Sequence, residues 1–587
     1  MVLAVLLAAL AGCIPSTIGA VAAGGGGGGG GSAETGASSP PALETLSLSV
    51  GELVPAFDPA TTSYSASVDF LTTRISVTAT TGGSNTIRVA GDAVANGQTS
   101  QPVALLAPIQ TIGVTVENGS LSTTYLVNVQ RTTLTGFIQR EPAIRAQVAG
   151  QLDVFGWKVA IDGDTMAVGA PFEDGTGQGS AGDPSDLSAA TADSGAVHVF
   201  RRSSPTSAWT LEAYLKAPNN LPGAVDGGDT FGHTLALGGD TLVVGAPNED
   251  SAAAGPGTPA SDDDASAAGA VYVFRRTGST WTPEAYLKAS NPDSSDLFGY
   301  SVALQQDRLV VGAPQEDNTD GSQNNDPAGS DVNAGAAYVF ERNGADWVQT
   351  AYLKAATPSP AGAAFGESVD IDADTIAVSA PNEDAGSGAV YVFDRSGTDW
   401  LRSARLRATQ PDAGDFFGRA LDLRGGRIAA GAATEDGSAA GVGGDSSNDS
   451  LFDAGAAYVF RREGSNWVEE AYVKATNPAA SADFGFSVAL HDEMLAVGAP
   501  KEDGGFAGVT AAANTSVQVS GVPDSGAVYL YSLVGGAWQP TAYIKAATNA
   551  LGLQFGSTLA LDERSLLVGG PLESGIVLGN GAVFHFR

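Results

Sequence analysis

The sequence predicts an all-β chain, a closed seven-bladed β-propeller preceded by a small β-sandwich. Three observations lead there. Phe-Gly recurs at Phe155, Phe231, Phe298, Phe365, Phe417, Phe484 and Phe555, each time followed by an alternating run and a Gly-Ala-Pro-like tripeptide. The tripeptides start at Gly169, Gly245, Gly312, Ser379, Gly431, Gly498 and Gly569. Self-similarity at this period marks a solenoid, propeller or array. The last copy stops after its third strand, GAVFHFR, while a stray strand, Ile138 to Ala146, stands before the first copy. Finally, Leu43 to Arg131 holds short alternating runs divided by turn signals such as Asn118-Gly119, the pattern of a sandwich.

From the N-terminus, Val2 to Ala11 is an apolar run of signal-peptide length, too short to span a bilayer. Leu10-Ala11-Gly12-Cys13 resembles the lipobox of bacterial lipoproteins, which would cleave after residue 12 and lipidate Cys13, the sole cysteine. The segment departs from that pattern in having no Lys or Arg before the apolar run. Ile14, rather than Asp, follows the cysteine, which by enterobacterial analogy implies the outer membrane. Residues 13–42, with an unbroken glycine run from Gly24 to Gly31, read as a flexible tether.

Residues 43–132 read as seven short strands: TLSLSV, SYSASV, RISVTAT, TIRVAG, PVALL, TIGVTV and TYLVNVQ. The opening LSLSVGELVPAFDPATTSYSASV and the closing Tyr-Leu-Val-Asn-Val resemble the cadherin-like β-sandwich of bacterial surface proteins. No cadherin calcium motif accompanies them, and the resemblance implies a spacer or adhesive module.

Within residues 137–587 each repeat reads as four strands. FGYSVAL alternates, Gln306-Asp307 turns, and LVVGAP is a nearly continuous apolar strand of the kind buried on both faces. AAYVFER and WVQTAYLKA follow. Pro283 and Pro540 fall in fourth strands, which places that strand at the outer edge, where a missing donor is tolerated. Trp209, Trp281, Trp347, Trp400, Trp467 and Trp538 open the fourth strands at one fixed place and predict packing between blades. Tyr-Leu-Lys-Ala predicts a buried Leu and a Lys that snorkels to the edge. IQREPAIRA aligns with WTLEAYLKA, setting Glu141 on Glu212, Ile144 on Leu215 and Arg145 on Lys216. Residues 138–146 are therefore expected to complete the last blade and remove its open edge. Phe-Gly, Val-Gly-Ala-Pro and Gly-Ala-Val-Tyr-Val-Phe resemble the FG-GAP repeat of integrin α-chain heads and bacterial surface proteins, which implies a seven-bladed propeller of four-stranded sheets.

Net charge is −35 and the pI about 4.2. That excludes nucleic acid and anionic membrane surfaces as ligands and leaves the membrane reached only through the lipid anchor. The same charge suits solubility in a saline or extracellular medium, or divalent cations. After each tripeptide stands a pair of acids: Glu173-Asp174, Glu249-Asp250, Glu316-Asp317, Glu383-Asp384, Glu435-Asp436 and Glu502-Asp503, with Glu573-Ser574 in the last copy. They open loops of unequal length on the face shared with Asp153, Asp229, Asp296, Asp415 and Asp483. Such a rim could supply oxygens to Ca2+. The integrin-type cation loop, Asp-x-Asp-x-Asp-Gly, is absent, and Asp370-x-Asp372-x-Asp374-Thr375 resembles it only loosely. Loop capping, with Asp accepting from backbone amides, is the structural alternative.

His198, His233, His491 and His585 occupy unrelated repeat positions, and no nucleophile elbow or phosphate loop occurs. Constant strands carrying variable loops suit a binding scaffold. The expectation is a monomeric, non-enzymatic surface lipoprotein that binds an extracellular protein or glycan in adhesion or envelope contact. The alternative is a hydrolase or lyase acting on extracellular polymer, since fold alone does not choose.

Overall fold

The computed structural model describes residues 39–105, 108–147, 152–175, 177–181, 193–220, 228–257, 259, 263–317, 333–344, 346–355, 361–512, 521–572 and 579–587. The proposed signal segment, Cys13, most of the tether and Glu573 lie outside them.

Alternation of apolar and polar residues shapes the N-terminal sandwich. Tyr64, Ala66 and Val68 face inward along Ser63–Val68, and Ile112, Val114 and Val116 do so along Ile109–Asn118. The structure has nine strands here rather than the expected seven. The RISVTAT run divides into Arg74–Ile75 and Val77–Thr81, which pair with different partners, and Asp92–Val94 adds a short edge strand. Ser63–Val68 pairs in parallel with Leu121–Arg131, a pairing that a meander of hairpins could not make.

Seven sheets follow among the described residues, taken below as blades one to seven. In blade two the order is Thr234–Gly238, Thr241–Ala246, Ala270–Thr277 and Thr280–Leu287, each antiparallel to the next. Every residue of Thr241–Ala246 is buried, as its continuous apolar run requires. The first strands of neighbouring blades touch in a closed cycle, with Lys158–Asp162 of blade one against Thr558–Leu561 of blade seven. Apolar layers lie between blades: Val310 and Val339 pack with Phe365 and Val378, and Val159 and Val168 with Leu567 and Val583.

The Phe-Gly motif stitches blades together. Phe231 is fully buried, T-shaped to Tyr272 and Phe274 of its own repeat, while its backbone bridges Gly195 of the preceding blade. The tripeptide glycine permits this approach, because a Cβ on Gly245 would sit 2.1 Å from the Gly299 carbonyl oxygen.

The closing strand is in place. Ile138 N–H donates to Arg587 O, Arg587 N–H to Ile138 O, and Ile144 and Val583 exchange both bonds. The Ile144–Val583 pair repeats the Leu215–Val197 pair of blade one, so the strand keeps the register read from the sequence. Pro283 lies in an outermost strand, as expected. The outer edge is less open than predicted, however. In blade six Gly508–Ala511 folds back to pair with Ala537–Lys545, and Gly255 and Gly257 bond to the outer edge of blade two, Gly441 and Gly443 to that of blade five.

Each first-to-second connection is a turn on one face. The acidic loops and the segments before Phe-Gly share the other. The sandwich docks on the turn face: Thr72 Oγ1 donates to Glu563 O at 2.8 Å, Arg74 pairs with Glu493 at 2.7 Å, and Asp69 with Arg587 at 2.8 Å. Phe70 and Phe137 extend the core of blades six and seven toward it.

Candidate binding site on the loop face

The acidic pairs sit where the second strand ends, one in each of blades one to six, so the structure spreads them around the ring. Each glutamate is buried and paired with a cation of its own fourth strand. Lys216 Nζ donates to Glu173 at 2.6 Å, Lys288 to Glu249 at 2.7 Å, Lys354 to Glu316 at 2.5 Å, Lys474 to Glu435 at 2.6 Å and Lys545 to Glu502 at 2.7 Å. Tyr286 and Tyr472 hydroxyls add bonds to Glu249 and Glu435. In blade four, Arg405 takes the tyrosine position and holds Glu383, while Arg407, at the lysine position, pairs with Asp384.

This corrects the snorkelling reading. Lys216, Lys288, Lys474 and Lys545 are fully buried, and desolvation lowers the pKa of Lys216, Lys474 and Lys545 against the pull of the partner glutamate. The edge strand offered solvent, but a carboxylate on the neighbouring loop lies closer. The second residue of each pair caps its loop instead: Asp250, Asp317, Asp436 and Asp503 accept from the N–H groups of Ala267, Asn333, Asp453 and Asp524. Asp174 accepts likewise from Asp193. A cation at the glutamates would have to displace an ammonium already in contact, so these residues do not fit a calcium site as placed. Among the described residues no group of three or more His, Cys, Asp or Glu is arranged to hold a metal ion.

The pre-Phe-Gly aspartates are drawn into the same rim. Asp296 accepts from Asp293 N–H, and burial, with help from Glu316 and Asp317, pushes its carboxyl up to about 8. Asp415 is raised to about 7 for the same reason. Asp483 pairs with Lys501 at 2.8 Å.

Sequence reasoning missed the axis of the ring. The residue after each Phe-Gly heads the first strand and lines the mouth of an axial pocket: Trp157, His233, Tyr300, Glu367, Arg419, Phe486 and Ser557. His233 sits between its aromatic neighbours, 5.9 Å from the Trp157 ring and 4.9 Å from Tyr300. Glu367 and Arg419 pair at 3.5 Å. The next tier is Lys158, Thr234, Ser301, Ser487 and Thr558. Below it Asp370 and Asp422 face the pocket from blades four and five. Burial and their mutual repulsion raise the Asp370 carboxyl well above the usual range, and burial raises Asp422. Asp370 accepts from Leu423 N–H and Asp422 from Leu490 N–H, which ties both to the framework. Asp372 and Asp374 are turn residues on the far face, bound to Gly425 N–H and Arg308.

Compared with known families, residues 140–200, 209–274, 281–340, 347–393 and 467–531 match the FG-GAP repeat, together just over half of the chain. This chain belongs to the FG-GAP repeat family. Residues 43–132 match the cadherin-like β-sandwich domain. No curated protein matches. Among solved structures, a crystal structure of a protein from Lactobacillus plantarum is 13% identical, with a TM-score of 0.41, and covers 73% of this chain and 100% of its own.

The FG-GAP signature now has a physical reading. Its Phe and Gly suture neighbouring blades, its tripeptide glycine admits the next backbone, and the acid behind it anchors the fourth strand. The position directly after Phe-Gly is free of these duties. Aligned, its seven residues share no type, and that variability was the signal available in the sequence.

Proposed function

We propose that this FG-GAP protein is a binding and adhesion scaffold of a bacterial cell envelope, lipid-anchored at Cys13, which engages an extracellular glycan or protein through its loop face. The observation that carries the reading is the sandwich docked on the turn face. Arg74–Glu493 and Asp69–Arg587 hold the N-terminal module there, so a tether entering through the sandwich leaves the opposite face open. That open face presents apolar side chains, with Phe452 exposed at 67% and Leu551 at 70%, as interaction surfaces do.

Binding on this reading needs no calcium, because the recurrent carboxylates already have protein partners. The reading is also non-catalytic. The axial Asp370 and Asp422 are the feature that favours the alternative, a hydrolase or lyase on extracellular polymer, yet both spend an oxygen on a backbone amide.

The test is capture from envelope extract by the full chain, with and without chelator. Paired Phe452→Ser and Leu551→Ser changes should abolish capture. Val348→Ser, on an outer strand, should not, and chelation should change nothing. Equal capture by all variants would sink the loop-face reading, and turnover of a cell-wall polysaccharide lost in Asp370→Asn would favour the enzyme.

A further inference from the structure

We infer that the axial pocket on the loop face is a saccharide subsite, built to take one neutral pyranose ring of a larger glycan. The inference rests on the binding reading above and names the ligand chemistry of its centre.

The mouth is divided. Trp157, His233 and Tyr300 form a continuous aromatic arc across blades one to three, and Phe486 stands in blade six. Trp157 is 38% and Phe486 40% exposed, although both are large apolar side chains beside a pocket that could have covered them. The intervening blades four and five supply the Glu367–Arg419 pair. A pyranose has this same division, with an apolar face of axial C–H bonds and an equatorial rim of hydroxyls. The first stacks on aromatic faces, and the second exchanges hydrogen bonds with carboxylate and guanidinium.

Polar side chains line the pocket beneath the arc, among them Thr234, Ser301, Ser487 and Thr558. Among the described residues, His233 Nδ1 and Thr558 Oγ1 are buried without a hydrogen-bond partner, and Thr558 itself is 4% exposed. Both residues line the pocket.

Charge narrows the class. Two basic side chains, Lys158 and Arg419, stand with three acidic ones, Glu367, Asp370 and Asp422, along the axis. Acids and bases are close to balanced there, within a chain of net charge −35. An anionic polymer is repelled by the molecule, and a cationic group gains nothing special from a balanced pocket. The upper chamber, about 210 Å3, is small against the ~300–1,000 Å3 of sites for drug-sized ligands, which suits one ring rather than a chain.

The experiment is saturation-transfer NMR on the full chain with the methyl pyranosides of glucose, galactose, mannose and N-acetylglucosamine. Glucuronic acid and a tri-lysine peptide serve as charged comparisons. At least one neutral pyranoside should bind, with its ring C–H protons receiving most saturation. Trp157→Ala and Glu367→Gln should each weaken it by about tenfold or more. Trp157 is exposed enough to truncate, and an unchanged thermal midpoint would establish that the variants are folded. Absence of binding by all four neutral sugars, unchanged affinity in both variants, or preference for the peptide or the acid would each overturn the inference. If envelope capture stays sensitive to Phe452 and Leu551 while every sugar fails, the saccharide subsite falls and the loop-face reading stands. If capture also fails, the broader reading falls with it.

Discussion

Trp281 shows how one residue joins two blades. Its indole N–H donates to Glu212 of the preceding blade at 3.1 Å, and Arg276 pairs with the same carboxylate at 2.8 Å. Trp347 uses Glu284 and Trp538 uses Glu470 in the same manner. Trp209 donates to His585 Nδ1 at 3.3 Å instead, while Trp400 and Trp467 have indole nitrogens buried and unpartnered. The reason is in the preceding fourth strands, where Thr350 and Ser403 replace the glutamate three residues after the tryptophan. Thr350→Glu should therefore stabilise the protein by about 1 kcal/mol, the net worth of a regained bond, read as a raised midpoint in denaturant titration. The same change in a Trp400→Phe background should give nothing. A second expectation concerns pH. Asp296 is held near 8 in the fold against an ordinary 3.8, so the folded state keeps a proton that the unfolded chain has released. Its contribution is fully present below about pH 4 and is lost as pH rises toward 8. Asp296→Asn should flatten this loss across pH 4–8 in calorimetric scans, and an unchanged slope would count against the assignment. None of these pairings was legible in the sequence, because the partners lie some sixty residues apart on different blades. The tryptophan's fixed place gave the packing and withheld the hydrogen bond.

Strands carried the clearest sequence signal. Alternation, the continuous apolar second strand and proline at the edge each follow from how much of a strand is covered, and that is a local property. The closing strand was legible too, since IQREPAIRA repeats a pattern whose register Ile144 and Val583 then keep. What local pattern could not reveal is how loops return. Gly508–Ala511 lies in the long loop between the second and third strands, yet it pairs with the outer strand of blade six. The buried lysines were misread likewise, because Lys288 finds Glu249 only once the loop has folded over it. The same blindness hid the axial pocket, whose residues meet only when the ring is shut. The closing strand should be the fold's weakest seam, as it is short and bonded at few points. Replacing Ile144 by Pro removes the donor to Val583 and disfavours the register. A loss of about 3 kcal/mol or more is expected, with amide exchange rising first in Ala582–Phe586. Uniform exchange across all blades would argue that the seam is no weaker than the rest.

Over the whole molecule, 64 acidic residues face 29 basic ones. Lys216, Lys288, Lys474 and Lys545 are buried together with Glu173, Glu249, Glu435 and Glu502, so these pairs leave the acidic excess unrelieved. Self-repulsion of this kind opposes the compact state. The ring spreads the charge around its loop rim, where the acids cap backbone amides, and the sandwich meets the turn face through oppositely charged pairs. Those two placements respond differently to salt. Raising sodium chloride from about 10 mM to about 150 mM shortens the screening length from roughly 30 to 8 Å, which relieves repulsion across the rim. Contact pairs such as Arg74–Glu493 are short and partly covered, so they should weaken less. The thermal midpoint should therefore rise with salt, by a few degrees for an excess this large. Asp69→Asn with Arg74→Ala should lower the midpoint at both salt levels without altering that rise, since the seam and the rim are separate. A midpoint that fell with salt would mean that attraction between unlike charges, rather than relief of the acidic excess, governs this fold.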